Sequence, residues 1–201
     1  MHGSQRRAGC KWRVVTVGPV MLDVRQHVQV ATSVAIVLTI HRAQIEDLPG
    51  IKAVLAATWA DTYSSLLSES SIARVTAEWH SPKVLESEIN RPSTFPGIAK
   101  STSCEIVGMI TAHSQGELLL IARLYVLPKY QRQGIGKRLM EESFRAFPQT
   151  RRVQLDVEEE NPKGRAFYRK LGFREIRVKI DDIAGTKLNS IVLEKHIQNA
   201  A

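Results

Sequence analysis

The sequence predicts an α/β fold, helices packed on a sheet, and three observations carry that prediction. Residues 118–136, LLLIARLYVLPKYQRQGIG, run from an apolar stretch through Pro128 and a glycine-containing loop into helical spacing. That is the pattern of a strand, a loop and a helix N-terminus. Residues 153–157 turn apolar again after the helix, so strand, helix and strand make a crossover expected to be right-handed and parallel. Residues 175–180 and 187–193 flank Gly185 as a closing hairpin.

Residues 1–35 precede this pattern and do not share it. They hold Arg6, Arg7, Lys11, Arg13 and Arg25 against one acid, Asp23, with valines scattered between. No apolar core of signal-peptide length forms before Asp23 and Arg25 interrupt it. Residues 1–35 therefore read as a basic N-terminal extension of unknown role, and residues 36–201 as the functional domain.

From there the elements follow in order. Apolar residues over 35–40 make a first strand, and Asp47, Leu48 and Pro49 open a helix. Its Ile51, Val54, Leu55, Thr58 and Trp59 recur at spacings of three and four, an amphipathic stripe. A second helical region, 69–89, is broken near Ser81 and Pro82, because the residue before a proline avoids the helical conformation. Residues 95–99 and 105–112 read as strands around a polar turn, with His113 closing the second. The helix after the central strand spans 134–147 and puts Ile135, Leu139, Met140, Phe144 and Phe147 on one face. Lys137, Glu141 and Arg145 form i,i+4 pairs on the other, and Pro148 stops it. A last helix, 161–171, has Asn161 as N-cap, Pro162 at its first position and Gly172 at its exit.

Composition bounds what such a domain does. A chain of 201 residues with 43% hydrophobic and 24% charged residues is long enough for a real core and reads as soluble and globular. The net charge of +8 suggests an anionic partner. Nucleic acid is not supported, since no helix or stripe concentrates Lys and Arg with interleaved aromatics. No run approaches the ~18 apolar residues of a membrane helix. Cys10 and Cys104 are too few for a disulfide framework, which makes a reducing cytoplasm the default, and no His, Cys or acid cluster has metal-ligand spacing.

The anion points back to the glycine loop. The first N–H groups of a helix lack internal acceptors, and the helix dipole adds positive charge there, so a phosphate satisfies both. Gly134 and Gly136 let it approach the backbone, and Arg132, Lys137 and Arg138 surround it with charge. Two familiar phosphate loops fail on this segment. A Walker A loop needs Gly where Gln131 stands and Ser or Thr where Arg138 stands; a dinucleotide fingerprint needs a third Gly where Leu139 stands.

What remains resembles the acyl-CoA loop of the GCN5-related N-acetyltransferase (GNAT) family, Gln/Arg-x-x-Gly-x-Gly/Ala, here Gln131, Gly134 and Gly136. A second block, NPKGRAFYRKLGF over 161–173, resembles the family's other signature, an Asn cap, a helix ending in Tyr, then Gly-Phe. Both stand in the family's order, and the resemblance covers roughly residues 36–197. It implies a GNAT-type α/β fold: a mixed, mostly antiparallel central sheet with helices on both faces and a central parallel strand-helix-strand unit. It implies acetyl-CoA as acyl donor, an amine as acceptor, no metal, and leaves a homodimer open. Its implied cofactor-binding residues are Leu124, Val126, Gln131, Arg132, Gln133, Gly134, Ile135, Gly136, Lys137, Asn161, Phe167 and Tyr168. The early pair of helices would wall the acceptor site, bringing Asp61, Tyr63, Glu69, Trp79 and His80 into play, though each also reads as ordinary surface or core.

The implied chemistry is direct acetyl transfer. An alkyl ammonium of pKa near 10.4 must first lose its proton, which at pH 7 costs about 4.6 kcal/mol, whereas an α-amine costs only about 1 to 1.4 kcal/mol. A polyamine-like acceptor therefore needs a base most. Some relatives carry a strand Glu near Ala122; here the nearest acid on that strand is Glu117, at its start. Glu117 and the cluster Asp156, Glu158, Glu159, Glu160 are the candidates, and the cluster could instead attract a cationic acceptor. Tyr168 is implied as the acid that protonates the departing thiolate, against a tyrosine simply packed in the core. The backbone N–H of Val126 would polarise the thioester carbonyl, left free by distortion of the strand before Pro128. Asn161 would hold the cofactor or its loop, although capping alone accounts for it. The expected activity is N-acetylation of a primary amine on a small molecule. A protein N-terminal acetyltransferase and a catalytically silent acyl-CoA-binding module are the alternatives.

Overall fold

The computed structural model describes residues 38–183 and 185–197. The extension assigned to residues 1–35, Cys10, and the first residues of the predicted opening strand lie outside the described residues. The described strands form one sheet: β1 (Thr39–Arg42), β2 (Thr94–Lys100), β3 (Ile106–Gln115), β4 (Leu118–Val126), β5 (Arg152–Glu158), β6 (Arg174–Ile183) and β7 (Thr186–His196). Their spatial order is β1-β2-β3-β4-β5-β7-β6. Every neighbouring pair is antiparallel except β4 and β5, which run parallel from Leu118 opposite Arg152 to Ile121 opposite Leu155. The helices are α1 (Leu48–Tyr63), α2 (Glu69–Trp79), α3 (Pro82–Asn90), α4 (Ile135–Ala146) and α5 (Pro162–Lys170). This is the mixed, mostly antiparallel sheet that the motifs implied.

The two faces of the sheet have separate cores. On one, Ile135, Leu139 and Met140 of α4 pack on Val107, Ile110, Leu119, Ile121, Val153 and Leu155, with Phe144 and Phe147 partly buried behind them. On the other, Ile51, Val54 and Leu55 of α1 and Leu85 and Ile89 of α3 pack on Ile98, Ile106 and Met109. A third cluster joins Trp59, Leu67 and Val75 to Ile183 of the β6–β7 hairpin. Burying one such aliphatic side chain is worth about 1.5–3 kcal/mol, so these helices are held by their apolar stripes and not by intrinsic propensity.

Two bulges decide which side chains face which core. In β3 the register skips Val107, and in β4 it skips Ala122. An extra residue reverses the alternation of a strand beyond it. Leu119 and Ile121 before the β4 bulge, and Leu124 and Val126 after it, therefore all face the α4 core, while Tyr125 faces the other way. Strand alternation alone would have turned Leu124 and Val126 to the opposite face.

Other boundaries moved for identifiable reasons. β1 reaches Arg42 because its ladder runs from Thr39 opposite Lys100 to Arg42 opposite Gly97. His113 does not close β3: pairing continues to Gln115 opposite Leu118, and the chain turns at Gly116, whose φ is +65°. The break at Ser81 is as expected, and the Ser81 hydroxyl accepts from Val84 N–H at 3.4 Å to start α3. On α4, Lys137 meets Glu141 at 3.6 Å, but Arg145 pairs with Glu142, three residues back, in place of Glu141.

Candidate active site

β4 and β5 pair only as far as Ile121 and Leu155, and beyond that point they separate. On its other edge β4 stays bonded to β3 through Gly108 opposite Val126, and Leu127 N–H donates to Val107 O at 2.9 Å. Neighbouring residues of a strand point their N–H groups to opposite sides. With Leu127 N–H directed at β3, the N–H of Val126, and by the same alternation that of Leu124, points into the gap beside β5. The cause differs from the distortion before Pro128 anticipated from sequence. It is the bulge at Ala122 and the end of the β4–β5 ladder that expose these donors.

The loop after β4 is anchored to the mouth of this gap. Gln131 Nε2 donates to Val126 O at 3.0 Å, and Gln133 Nε2 to Lys129 O at 3.3 Å. Arg132 sits in the left-handed conformation at φ +63° and Gly134 at φ +80°. The first helical bond of α4 is Arg138 N–H to Gly134 O at 3.1 Å, so the N–H groups of Ile135, Gly136 and Lys137 precede it without helical acceptors. Left-handed backbone leading into a helix N-terminus is a geometry that can cradle an anion.

The two glycines have different jobs in it. Gly134 is needed for its φ, and a Cβ there would meet nothing within 4 Å. At Gly136 a Cβ would stand 3.1 Å from Cζ of Phe167, so the missing side chain of this glycine makes room for α5. The guanidinium of Arg138 donates to Leu38 O at 3.1 Å. Arg132, Lys137 and Arg138 are all exposed at the loop.

α5 lies across the gap. Asn161 Oδ1 accepts Gly164 N–H at 2.8 Å, the N-cap bond predicted from sequence, and any Cβ at Gly164 would crowd that side chain at 3.0 Å. The capped helix presents Phe167 and Tyr168, whose rings meet edge to face at 5.1 Å, and Tyr168 meets Phe173 at 5.7 Å. Tyr168 is half-buried against the α4 core, and its hydroxyl makes no hydrogen bond with the described residues. Burial, and then Tyr125, push its phenol well above the ordinary tyrosine range, so it carries its proton at any physiological pH.

From the opposite face come α1 and β4. Trp59 Nε1 donates to Tyr125 Oη at 3.0 Å, and the Trp59 ring lies 4.6 Å from that of Tyr63. The Tyr63 phenol is pushed up by burial first, and then by Tyr125, Glu158, Tyr168 and Asp181. These groups from α1, β4, β5, α5 and β6 therefore share one region at the C-terminal ends of β4 and β5. Of the residues proposed to wall the acceptor site, Tyr63 is brought there; Asp61 and Glu69 are exposed on their helices, Trp79 is 42% exposed, and His80 is 2% exposed in the core.

The acids divide sharply. Glu117 is not brought to the site: it lies in the β3–β4 turn at the far end of β4, on the order of 25 Å from Val126 along the strand. There its carboxylate is solvent-exposed beside Arg151 at 4.0 Å. That position does not support it as the base. In the cluster, Asp156 pairs with Lys179 at 2.7 Å and Glu159 accepts from Asn189 at 2.9 Å, while Glu160 is exposed. Glu158 alone is buried, 6% exposed. Sequence reading missed Tyr125 and Trp59 as a unit, because what aims Tyr125 at Trp59 is the Ala122 bulge, which leaves no mark in residue type. Among the described residues no group of three His, Cys, Asp or Glu is arranged to hold a metal ion, and no helix is long and apolar enough to cross a membrane.

Known proteins share this architecture. The model of the acetyltransferase (GNAT) family matches residues 55–173. The spermidine N(1)-acetyltransferase of Thermoplasma acidophilum is 29% identical over 170 residues, covering 81% of this chain and 99% of that protein. Among solved structures, the PaiA N-acetyltransferase of Thermoplasma acidophilum in complex with coenzyme A superposes with a TM-score of 0.69 at 27% identity, over 80% of this chain and 99% of that one. The ribosomal-protein-S18-alanine N-acetyltransferase of Escherichia coli superposes at 0.63 with 18% identity, over 82% and 97%, a likeness of fold.

Proposed function

The chain belongs to the acetyltransferase (GNAT) family and is an acetyl-CoA-dependent N-acetyltransferase, and from that premise we propose that its acceptor is a small polyamine-like primary amine. The observation that supports the transfer chemistry is the gap between β4 and β5, with the N–H of Val126 directed into it from one side and the Tyr168 hydroxyl, which bonds nothing among the described residues, on the other. Acetyl-CoA supplies the activated acetyl group. Gln131, Arg132, Gln133 and the N–H groups of Gly134, Ile135, Gly136 and Lys137 hold its phosphates at the start of α4. Val126 N–H polarises the thioester carbonyl, Leu124 and Phe167 flank the chain of the donor, and Tyr168 supplies the proton that the departing thiolate needs. Asn161 keeps α5, and hence Tyr168, in place through its cap.

The polyamine-like acceptor is supported by the relative that acetylates spermidine and by the acids of β5 and β6 at the same end of the sheet. Incubation with acetyl-CoA and a panel of spermidine, spermine, monoamines and peptides with free α-amines tests it, with products resolved by mass spectrometry. Acetylated polyamine is expected. Turnover confined to the peptides would reassign the acceptor.

A further inference from the structure

Glu158 ends β5 on the side where β4 has separated from it. Its Oε1 accepts Glu160 N–H at 3.0 Å, which closes the turn after the strand. Its Oε2 is enclosed by protein and has no hydrogen-bond partner. Among the described residues no Lys, Arg or His pairs with it, because the nearby cations are committed: Lys179 to Asp156 and Asp181, Arg165 to Glu175. A buried carboxylate oxygen left without a donor is costly, and the cost is relieved when a cationic donor arrives. Glu158, Tyr125, Tyr168 and Asp181 all act on the phenol of Tyr63, so the five groups lie in one neighbourhood, and none of them carries positive charge. Tyr63, whose phenol Glu158 helps to push up, is itself half-buried.

Building on the acetyltransferase reading above, we propose that Glu158 is the base of the reaction: its Oε2 receives the primary ammonium of the acceptor and takes its proton. The freed lone pair forms the N–C bond to the acetyl carbon as the C–S bond breaks. The thiolate takes the proton of Tyr168, the second amine proton restores that phenol, and Glu158 returns its proton to solvent. The products are the amide, the free thiol and one proton. Glu158 thereby does what a strand carboxylate at Ala122 would do, from the neighbouring strand.

The test is the pH profile of kcat/KM for spermidine in the wild type, Glu158→Gln and Glu158→Asp, with acetyl-CoA affinity measured alongside. With a base, the ammonium form is usable and the wild-type profile is flat through neutral pH. Glu158→Gln keeps an oxygen for Glu160 N–H but must wait for free amine. Its kcat/KM should fall by roughly 10²- to 10⁴-fold near pH 7 and climb about tenfold per pH unit toward the amine pKa, with acetyl-CoA affinity unchanged. Glu158→Asp, which keeps the charge on a shorter arm, should be slower than wild type with a flat profile, and it carries the test if the Gln variant does not fold. A Gln variant with a flat profile, at whatever rate, or an Asp variant at full rate, overturns the assignment. A wild type that binds acetyl-CoA but acetylates no amine overturns the acceptor reading, and the base with it.

Discussion

Acidification should destabilise this protein through His80 before its carboxylates titrate. The side chain follows α2, is 2% exposed, lies 5.3 Å from the Trp59 ring, and its Nδ1 has no hydrogen-bond partner. Burial first, and the Arg123 guanidinium second, lower its pKa from 6.5 to about 4. The folded value is below the unfolded one, so between them the unfolded chain takes up a proton that the native state refuses. The stability from His80 is therefore complete above about pH 6.5 and is lost as pH falls toward about 4. A difference of about 2.5 in pKa at about 1.4 kcal/mol each corresponds to about 3 kcal/mol, a large share of the stability of an ordinary domain. Urea unfolding at a series of pH values from about 7.5 to 4.5, for wild type and His80→Phe, isolates it, because the variant keeps a ring against Trp59 but cannot titrate. His113, also lowered by burial, contributes equally to both. The wild-type curve should fall away from the variant's by about 1.4 kcal/mol per pH unit below 6.5. Parallel curves would refute the reasoning.

Three further outcomes follow from the packing. Arg123 donates to both oxygens of buried Glu88 at 2.7 Å and to Trp79 O at 2.8 Å, so Arg123→Met should cost about 3–5 kcal/mol in urea unfolding, and adding Glu88→Leu should restore most of it. Gly134→Asn should fold normally, since Asn tolerates the left-handed conformation, yet lose acetyl-CoA affinity at least about tenfold by calorimetry, whereas Gly136→Ala should disturb Phe167 and lower the melting temperature. Residues 1–35, proposed to take no part in the chemistry, should be removable with acetyl-CoA affinity kept within about threefold; loss of soluble protein would refute that.

Much of the fold could be read from residue types, because its elements announce themselves chemically. Ser81 before Pro82 splits α2 from α3, Asn161 with Pro162 starts α5, and Gly185 turns the last hairpin. The anion loop could be read for the same reason, since Gln131, Gly134 and a helix start fall within five residues. What could not be read depends on register. The Ala122 bulge exchanges the faces of Leu124, Tyr125 and Val126, and nothing in LLLIARLYV marks it. Glu117 is the acid nearest in sequence to the central strand, but strand direction puts it at the end of β4 away from Val126. Gly134 and Gly136 looked alike, and only the approach of Phe167 separates them. Glu158 could not be told from Asp156, Glu159 and Glu160 because its burial depends on the tertiary packing at the end of β5, where β7 pairs with it from a distance in sequence.

The central claim, that chemistry happens where Tyr168 faces the gap between β4 and β5, is tested most directly by single-turnover acetyl transfer in Tyr168→Phe. The substitution removes one oxygen that bonds nothing in the described structure and leaves the ring against Phe167 and Phe173. Acetyl-CoA affinity within about threefold of wild type is expected, with a chemical step slowed by roughly 10²- to 10⁴-fold. Full single-turnover rate in a folded Tyr168→Phe protein would contradict that claim.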